Sequence, residues 1–282
     1  MGGGMAASRV VLVTGGAGGI GGAIADALLA AGHCVAAVDR DAAALARLGA
    51  RHAEARAARD RLHRITAELS REEDCGRAVD EALAHFGRLE AVVNNAGIGM
   101  SSIRPDAESR HPGIAELTPA IWDEFFAVNV RAPMLVTRAA LPHLRKAGFG
   151  RIVNNTTSFR TMLRVLPYGA TKAALESMSA VWAEELSGSG ITVNVLIPGG
   201  PTDTPFISDA AGWPRDKMLK PAVMGPPAAW LVSDDAAGFT GQRIIAARFD
   251  PALPGCEAAA RAARPIGWPE LAADAVWLQA GA

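Results

Sequence analysis

The sequence predicts a single α/β domain built on a doubly wound parallel sheet, with helices on both faces and an atypical C-terminal extension. Three observations carry this reading. Apolar strand-like runs alternate with helical stretches along most of the 282 residues, the signature of strand–helix–strand units. No stretch of linker composition divides the chain, and its length fits one large domain. The first apolar run ends in clustered glycines that open directly into a helical stretch.

The elements follow in order. "RVVLVTGG" reads as a short buried strand, and "GGIGGAIADALLAAG" as a helix stopped by Gly32. "HCVAAVDR" is a second strand, and the alanine- and arginine-rich "DAAALARLGARHAEARAARDRL" is helical. "HRITAEL" is a third strand. The helix "SREEDCGRAVDEALAHFG" follows, with Ser70 as N-cap and Glu73 completing a capping box. "LEAVVNNAG" is a fourth strand, and Ile98 to Pro112 is loop. A long helix starts at Thr118 and Pro119, with Pro133 and Pro142 placed to bend or end it. "GRIVNNTT" is a fifth strand, "PYGATKAALESMSAVWAEELSGSG" a helix and "ITVNVLIPGG" a sixth strand. A loop with short helical pieces leads to a last strand in "GFTGQRIIAA", and the tail after Asp250 is rich in Pro and Ala.

Composition narrows the function. Half the residues are hydrophobic and a fifth charged, enough for a sizeable core. A net charge of −1 without a long basic run argues against nucleic acid or an anionic membrane surface. The opening "MGGGMAASR" has no signal-peptide core, and no apolar run is long enough to span a bilayer. Cys34, Cys75 and Cys256 are odd in number and far apart, so neither a disulfide framework nor a metal cluster is expected, and a reducing cytoplasm is the simplest location.

"TGGAGGIG", Thr14 to Gly21, has two readings. Gly16, Gly18 and Gly21 fit the spacing GxGxxG; Gly15, Gly19 and Gly21 fit TGxxxGxG. Both serve one need, a sharp strand-to-helix turn whose amides point at a pyrophosphate. With a strand before it and a helix after it, this is a Rossmann-like dinucleotide turn. Asp39 closes the second strand, where a carboxylate accepts bonds from the adenosine ribose and repels a 2′-phosphate. That favours NAD over NADP, although Arg40 next to it can reach a phosphate. The plainer role for Asp39 is to cap the next helix.

Together these pieces resemble the classical short-chain dehydrogenase/reductase family. The resemblance rests on "TGGAGGIG", Asp39, "NNAG" at Asn94 to Gly97, Asn129 in "VNV", Tyr168 and Lys172 in "YGATK", and "IPGG" at Ile197 to Gly200, in family order from Val10 to Ile244. It implies an NAD(P)-dependent oxidoreductase moving a hydride between nicotinamide and a carbonyl or secondary alcohol. Tyr168 would be the general acid/base. A free phenol titrates near ~10, and Lys172, one helical turn on, would lower that value and bond the nicotinamide ribose. Asn129, an awkward residue in a helix interior, would hold a water that extends the proton relay. The cofactor would lie against Gly15, Gly18, Gly19, Ile20 and Gly21, with Asp39 and Arg40 at the ribose and Glu68 and Leu69 near the adenine. Asn95, Ala96, Gly97, Pro198 and Gly199 would border it, and Thr202 or Thr204 would bond the carboxamide.

Resembling enzymes orient the substrate oxygen with a serine or threonine. Counting back from Tyr168 lands on Asn155, which has no hydroxyl; counting forward from "GRIV" lands on Thr157. The strand is the more rigid ruler, so Thr157 is the expected hydroxyl and Ser158 the reserve. Phe159, Met162, Leu163, Phe206, Ile207, Trp213 and Met218 would line an apolar substrate site, with Arg160 and Arg164 available to an anionic substrate. The expected organisation is a flexible arm over 1–8, a cofactor-binding and catalytic domain over 9–249, and an extension over 250–282. That extension would pack on the same domain or on a neighbouring subunit. A homo-dimer or homo-tetramer is implied by the resemblance. The competing reading is a nucleotide-binding relative with a regulatory or scaffold role and no dehydrogenase activity.

Overall fold

The computed structural model describes residues 7–54 and 56–273. Most of the expected arm, and the last residues of the extension, lie outside them. The chain runs β1 (Val10–Thr14), α1 (Gly19–Ala30), β2 (Cys34–Asp39), α2 (Ala42–Arg51), α3 (Arg56–Arg59), β3 (Leu62–Thr66), α4 (Glu72–Phe86) and β4 (Ala91–Asn94). It continues through α5 (Pro119–Phe126), a π-helical segment (Ala127–Arg131), α6 (Ala132–Ala147), β5 (Gly150–Asn155), α7 (Phe159–Met162), α8 (Tyr168–Glu185) and β6 (Ile191–Ile197). Last come α9 (Gly225–Leu231), β7 (Gln242–Ile245), α10 (Gly255–Ala262), β8 (Ala263–Pro265) and α11 (Pro269–Ala272).

One sheet has the strand order β3-β2-β1-β4-β5-β6-β7-β8. β1 to β7 are parallel, and β8 alone runs antiparallel to its neighbour β7. Every residue of β1, β4, β5 and β6 is buried, because helices cover both faces. One face packs Ile24 and Leu28 of α1, Leu45 of α2, Leu231 of α9 and Ala259 of α10 against Val11, Val35 and Val93. The other packs Val79 of α4 and Val136 of α6 against Leu12, Val38 and Val92. The order reverses between β1 and β4, so the turns leaving their carboxyl ends open a crevice, the usual ligand position in such sheets.

Four expectations change. Ser70 and Glu73 form no capping box: α4 starts at Glu72 with Arg71 at the N-cap and no side-chain cap bond. Instead Asp74 reaches back to the Glu68 amide at 2.8 Å, while the Ser70 amide donates to Glu68 Oε1 at 3.2 Å. The alanine- and arginine-rich stretch is two helices rather than one. The long helix begins as expected, Thr118 accepting from the Ile121 amide with Pro119 in the first turn, but it is interrupted by the π segment around Asn129. β7 is not the last strand. The extension returns through α10 and adds β8, pairing Ile244 with Ala263 and Arg243 with Arg264. Its described part therefore packs on its own domain.

Candidate active site

The turn after β1 shows which glycines the backbone needs. Gly15 and Gly19 hold φ of +63° and +54°, the left-handed region that favours glycine. A Cβ on Gly21 would lie 1.9 Å from the Gly15 carbonyl oxygen and 2.5 Å from Asn95 Nδ2. A Cβ on Gly18 would meet nothing within 4 Å. The spacing Gly15–Gly19–Gly21 is thus the structural one, and Gly18 fronts open space. Gly18 is also the N-cap of α1, with no side-chain cap bond, so the amides of the first turn stay free to receive an anion. Ile20, at that turn, packs its side chain on the core.

Around this cradle sit the other expected contacts. Asp39 accepts from the Ala17 amide at 3.2 Å and from the Asp41 amide at 3.1 Å. Asp41, not Asp39, caps α2 through Ala44, so Asp39 is left at the turn's flank. Arg40 faces Glu68 at 3.7 Å, which balances its charge. Leu69 is core. Asn95 donates to the carbonyls of Thr14 and Gly15 at 3.0 and 3.2 Å. The Asn95 and Ala96 amides each donate to Thr14 Oγ1 at 3.0 Å. "NNAG" therefore ties β4 to β1, a structural duty that sequence reasoning only entertained. Thr14, at the centre of that tie, was missed. Thr204 packs on Gly19, 3.3 Å from where its Cβ would be, whereas Thr202 Oγ1 turns to the Gly200 carbonyl at 3.3 Å. Gly199 takes φ +100°, and the Pro198 carbonyl accepts from Ala247 at 3.0 Å. The residues present fit a dinucleotide: a glycine cradle, uncapped helix amides and a carboxylate at the end of β2 beside them.

Three hydroxyls follow β5 and each has its own partner. Thr156 donates to Glu176 at 2.8 Å. Thr157 stands beside the Tyr168 phenol, where its hydroxyl favours the ionised form. Ser158 caps α7, accepting from the Thr161 amide at 3.1 Å. The reserve hydroxyl is thus engaged by Thr161 of α7. Asn155, where counting back landed, instead presents its carbonyl to Lys172 Nζ at 2.7 Å.

Tyr168 opens α8 and Lys172 lies one turn on, its Nζ 5.7 Å from the tyrosine ring centre. The expected lowering of the phenol by Lys172 does not appear. Burial pushes Tyr168 up to about 12, opposed only by the Thr157 hydrogen bond. Burial likewise pushes Lys172 down to about 8. The ammonium is drawn to Asn155, and removal from water penalises both charged forms. Asn129 is fully buried. It accepts from the Ile98 amide at 2.8 Å, and its Nδ2 donates to the Ile98 carbonyl at 3.0 Å and to Thr171 Oγ1 at 3.1 Å. A Cβ on Gly97 would stand 3.1 Å from Asn129 Oδ1 and 3.6 Å from Lys172 Nζ, so Gly97 lets the two converge.

The apolar candidates separate. Phe206 meets the Tyr168 ring edge-on at 5.8 Å and lies against Gly99. Ile98, Met100, Phe125 and Val128 cluster beside Tyr168. Met162 is buried beneath Gly169. Phe159 points elsewhere, to Trp268 at 5.6 Å and the Arg243 guanidinium at 4.3 Å. Trp213, Ile207 and Met218 form a separate cluster, and Leu163 is exposed. Apolar composition alone could not sort these. Glu176 and Arg243 were also missed, although a charge inside an apolar helix face and another inside an apolar strand were the available signal. Among the described residues no His/Cys/Asp/Glu group is placed to hold a metal, and no helix is long and apolar enough to cross a membrane.

The sequence model described as short chain dehydrogenase matches residues 9–213. The 2-(R)-hydroxypropyl-CoM dehydrogenase of Xanthobacter autotrophicus is 32% identical over 84% of this chain and 96% of its own length. The cis-4-hydroxycyclohexanecarboxylate dehydrogenase of Sinomonas cyclohexanicum is 33% identical over 85% and 95%. Among solved structures, a 3-ketoacyl-(acyl-carrier-protein) reductase from Brucella melitensis complexed with NADH superposes with a TM-score of 0.70 at 29% identity, covering 84% of this chain and 95% of its own. A Shigella flexneri 2A chain complexed with NADP gives 0.75 at 27% identity, covering 86% and 98%. These likenesses lend no support to a regulatory or scaffold role without catalysis. The chain belongs to the short chain dehydrogenase family, and it is an oxidoreductase that moves a hydride between a nicotinamide cofactor and an alcohol or carbonyl substrate.

Proposed function

We propose that Tyr168 is the general acid/base of this oxidoreductase, that Thr157 orients the substrate oxygen, and that NAD is the preferred cofactor. The observation that carries the reading is the convergence of Tyr168 and Lys172, the ammonium 5.7 Å from the ring centre and held by the Asn155 carbonyl, with Thr157 beside the phenol. When bound, the nicotinamide supplies or takes up the hydride. Tyr168 gives a proton to the substrate oxygen or removes one from it. Thr157 fixes that oxygen next to the phenol. Lys172 keeps a cation within reach of the phenolate, and Asn129 fixes the Ile98 backbone that packs against this cluster. Asp39, with Arg40 already matched by Glu68, disfavours a 2′-phosphate. The apolar wall of Phe206, Met100 and Ile98 suits an alcohol or ketone carrying a hydrocarbon body, and two relatives are named for hydroxylated compounds.

A panel of secondary alcohols and ketones followed by NADH absorbance tests the assignment. Tyr168→Phe is expected to lose turnover on every active compound while still binding NADH; wild-type turnover by this variant would sink it. NADPH binding more tightly than NADH would overturn the role given to Asp39. We also propose a homo-dimer or homo-tetramer built on the long-helix and α8 faces. Phe126, Val130, Met134 and Met178 line an open groove there, and Val181 is 59% exposed. Light scattering showing a monomer would refute this. The free Cys34, Cys75 and Cys256 support placement in a reducing cytoplasm, which fractionation of the source cell checks.

A further inference from the structure

A buried ion pair that the chemistry above does not use lies directly behind Thr157. Glu176 of α8 and Arg243 of β7 face each other at 3.3 Å, with side chains 0% and 4% exposed. Glu176 Oε2 accepts from Thr156 Oγ1 at 2.8 Å, and its Oε1 accepts from the Gly267 amide at 3.3 Å. The Arg243 guanidinium donates to the Thr157 carbonyl and lies over the Phe159 ring at 4.3 Å. Trp268 lies against the same ring, with 5.6 Å between centroids. Two consecutive residues are therefore gripped from one side, Thr156 by its hydroxyl and Thr157 by its carbonyl. The β5–β6 ladder ends at the pair Asn155–Leu196, so Thr156 and Thr157 lie past the last rung. At that point a charged pair takes over from the sheet.

A buried pair of opposite charges is seldom worth more to stability than apolar residues of similar volume. Stability alone therefore does not account for its place here. We propose that Glu176 and Arg243 are positioning residues: the pair, latched by Gly267 of the C-terminal extension, fixes the residues beyond β5 so that the Thr157 hydroxyl meets the Tyr168 phenol. The inference rests on the role given to Thr157 above. It makes the extension a support of the candidate site.

The chain's single tyrosine makes the test clean. A ring-fluorinated tyrosine incorporated biosynthetically labels Tyr168 alone, and its fluorine resonance reports the midpoint of phenol ionisation. Thr157→Val removes a bond that favours the phenolate, so the midpoint is expected to rise by about half to one pH unit, the size of one hydrogen bond. The paired substitution Glu176→Leu/Arg243→Met leaves no lone buried charge and is expected to unfold at or above the wild-type denaturant midpoint. It should nevertheless raise the phenol midpoint as Thr157→Val does, and combining all three substitutions should raise it no further. A merely structural pair would leave the phenol unmoved. If Thr157→Val shifts the midpoint and the paired variant does not, the positioning role is wrong. If Thr157→Val shifts nothing, the Thr157–Tyr168 contact is wrong and the proposal falls with it. Should the paired variant fail to fold, Glu176→Gln keeps one acceptor for the Gly267 amide, turns its NH2 toward the Thr156 hydroxyl, removes the charge and faces the same criterion.

Discussion

Replacing Gly21 by alanine adds one methyl group at a place with no room for it. The new Cβ would stand 1.9 Å from the Gly15 carbonyl oxygen, 2.7 Å from the Gly15 carbonyl carbon and 2.5 Å from Asn95 Nδ2. All three belong to groups that cannot swing aside. Gly15 is locked in its turn at φ +63°, and the Asn95 amide is committed to the Thr14 and Gly15 carbonyls. In an ordinary helix the exchange would gain about 1 kcal/mol of propensity. Here relief needs a backbone shift of more than an ångström, at or beyond the upper end of the ~1–3 kcal/mol typical of overpacking. The net expectation is a loss of about 2 kcal/mol, read by chemical denaturation of the purified protein. Gly18→Ala is the control. Its Cβ meets nothing within 4 Å, and its backbone is extended at φ −162°. It should cost less than about 1 kcal/mol, the difference between glycine and alanine at an N-cap, yet weaken NADH binding measured by fluorescence. A Gly21→Ala variant unfolding at the wild-type midpoint would refute the steric reasoning.

Other outcomes follow from the same geometry. Asn129→Ala strands the buried Ile98 amide and carbonyl and should cost about 3 kcal/mol in urea unfolding; a loss below 1 kcal/mol would mean that water or a neighbouring group replaces the side chain. Burial holds Lys172 at about 8 against an ordinary 10.5. Between those values the unfolded chain carries the proton and the folded chain does not, so stability rises with pH. From pH 8 to pH 10 the wild type should gain about 2 kcal/mol relative to Lys172→Met, and parallel stability profiles would contradict this. Phe206→Ala uncovers the Tyr168 ring and lessens the desolvation that raises it to about 12, so phenolate absorbance should begin at lower pH. An unchanged onset would show that Phe206 does not shield the phenol.

The order of strands was legible because each is a compact apolar run bounded by turn residues, and parallel strands covered on both faces need nothing else. The place of Thr157 just beyond β5 was legible by counting along the strand, since a buried strand keeps its length while the segment before Tyr168 does not. The π segment was not: one extra residue per turn at Asn129 leaves the apolar periodicity nearly intact. Ser70 was misread because α4 begins one residue later than a Ser70 cap requires, with no side-chain cap, while Asp74 reaches back to the Glu68 amide. Phe159 and Trp213 pack away from Tyr168, on Trp268 and on the Ile207–Met218 cluster, because sequence shows that a ring is apolar but not which neighbours it meets. Glu176 and Arg243 were missed, since each is a single charge among apolar neighbours and only the packing of α8 against β7 brings them together. The phenol's upward shift was equally hidden, since the sequence shows the spacing of Lys172 but not the burial that penalises both charged forms.

The antiparallel strand β8 also decides how this sheet ends. A terminal strand offers unpaired amides and carbonyls on which another chain can build. Here β7, whose Ile244 and Ile245 would make an adhesive border, is covered along Gln242 to Ile244. The outermost strand becomes one of three residues, Ala263–Pro265. It carries an arginine, and its proline has no amide hydrogen to donate. Both are devices that discourage sheets from joining edge to edge. The last strand of the described fold thus acts as a hem, and a chain shortened before Gly255 would present the bare border of β7 to every other copy in solution.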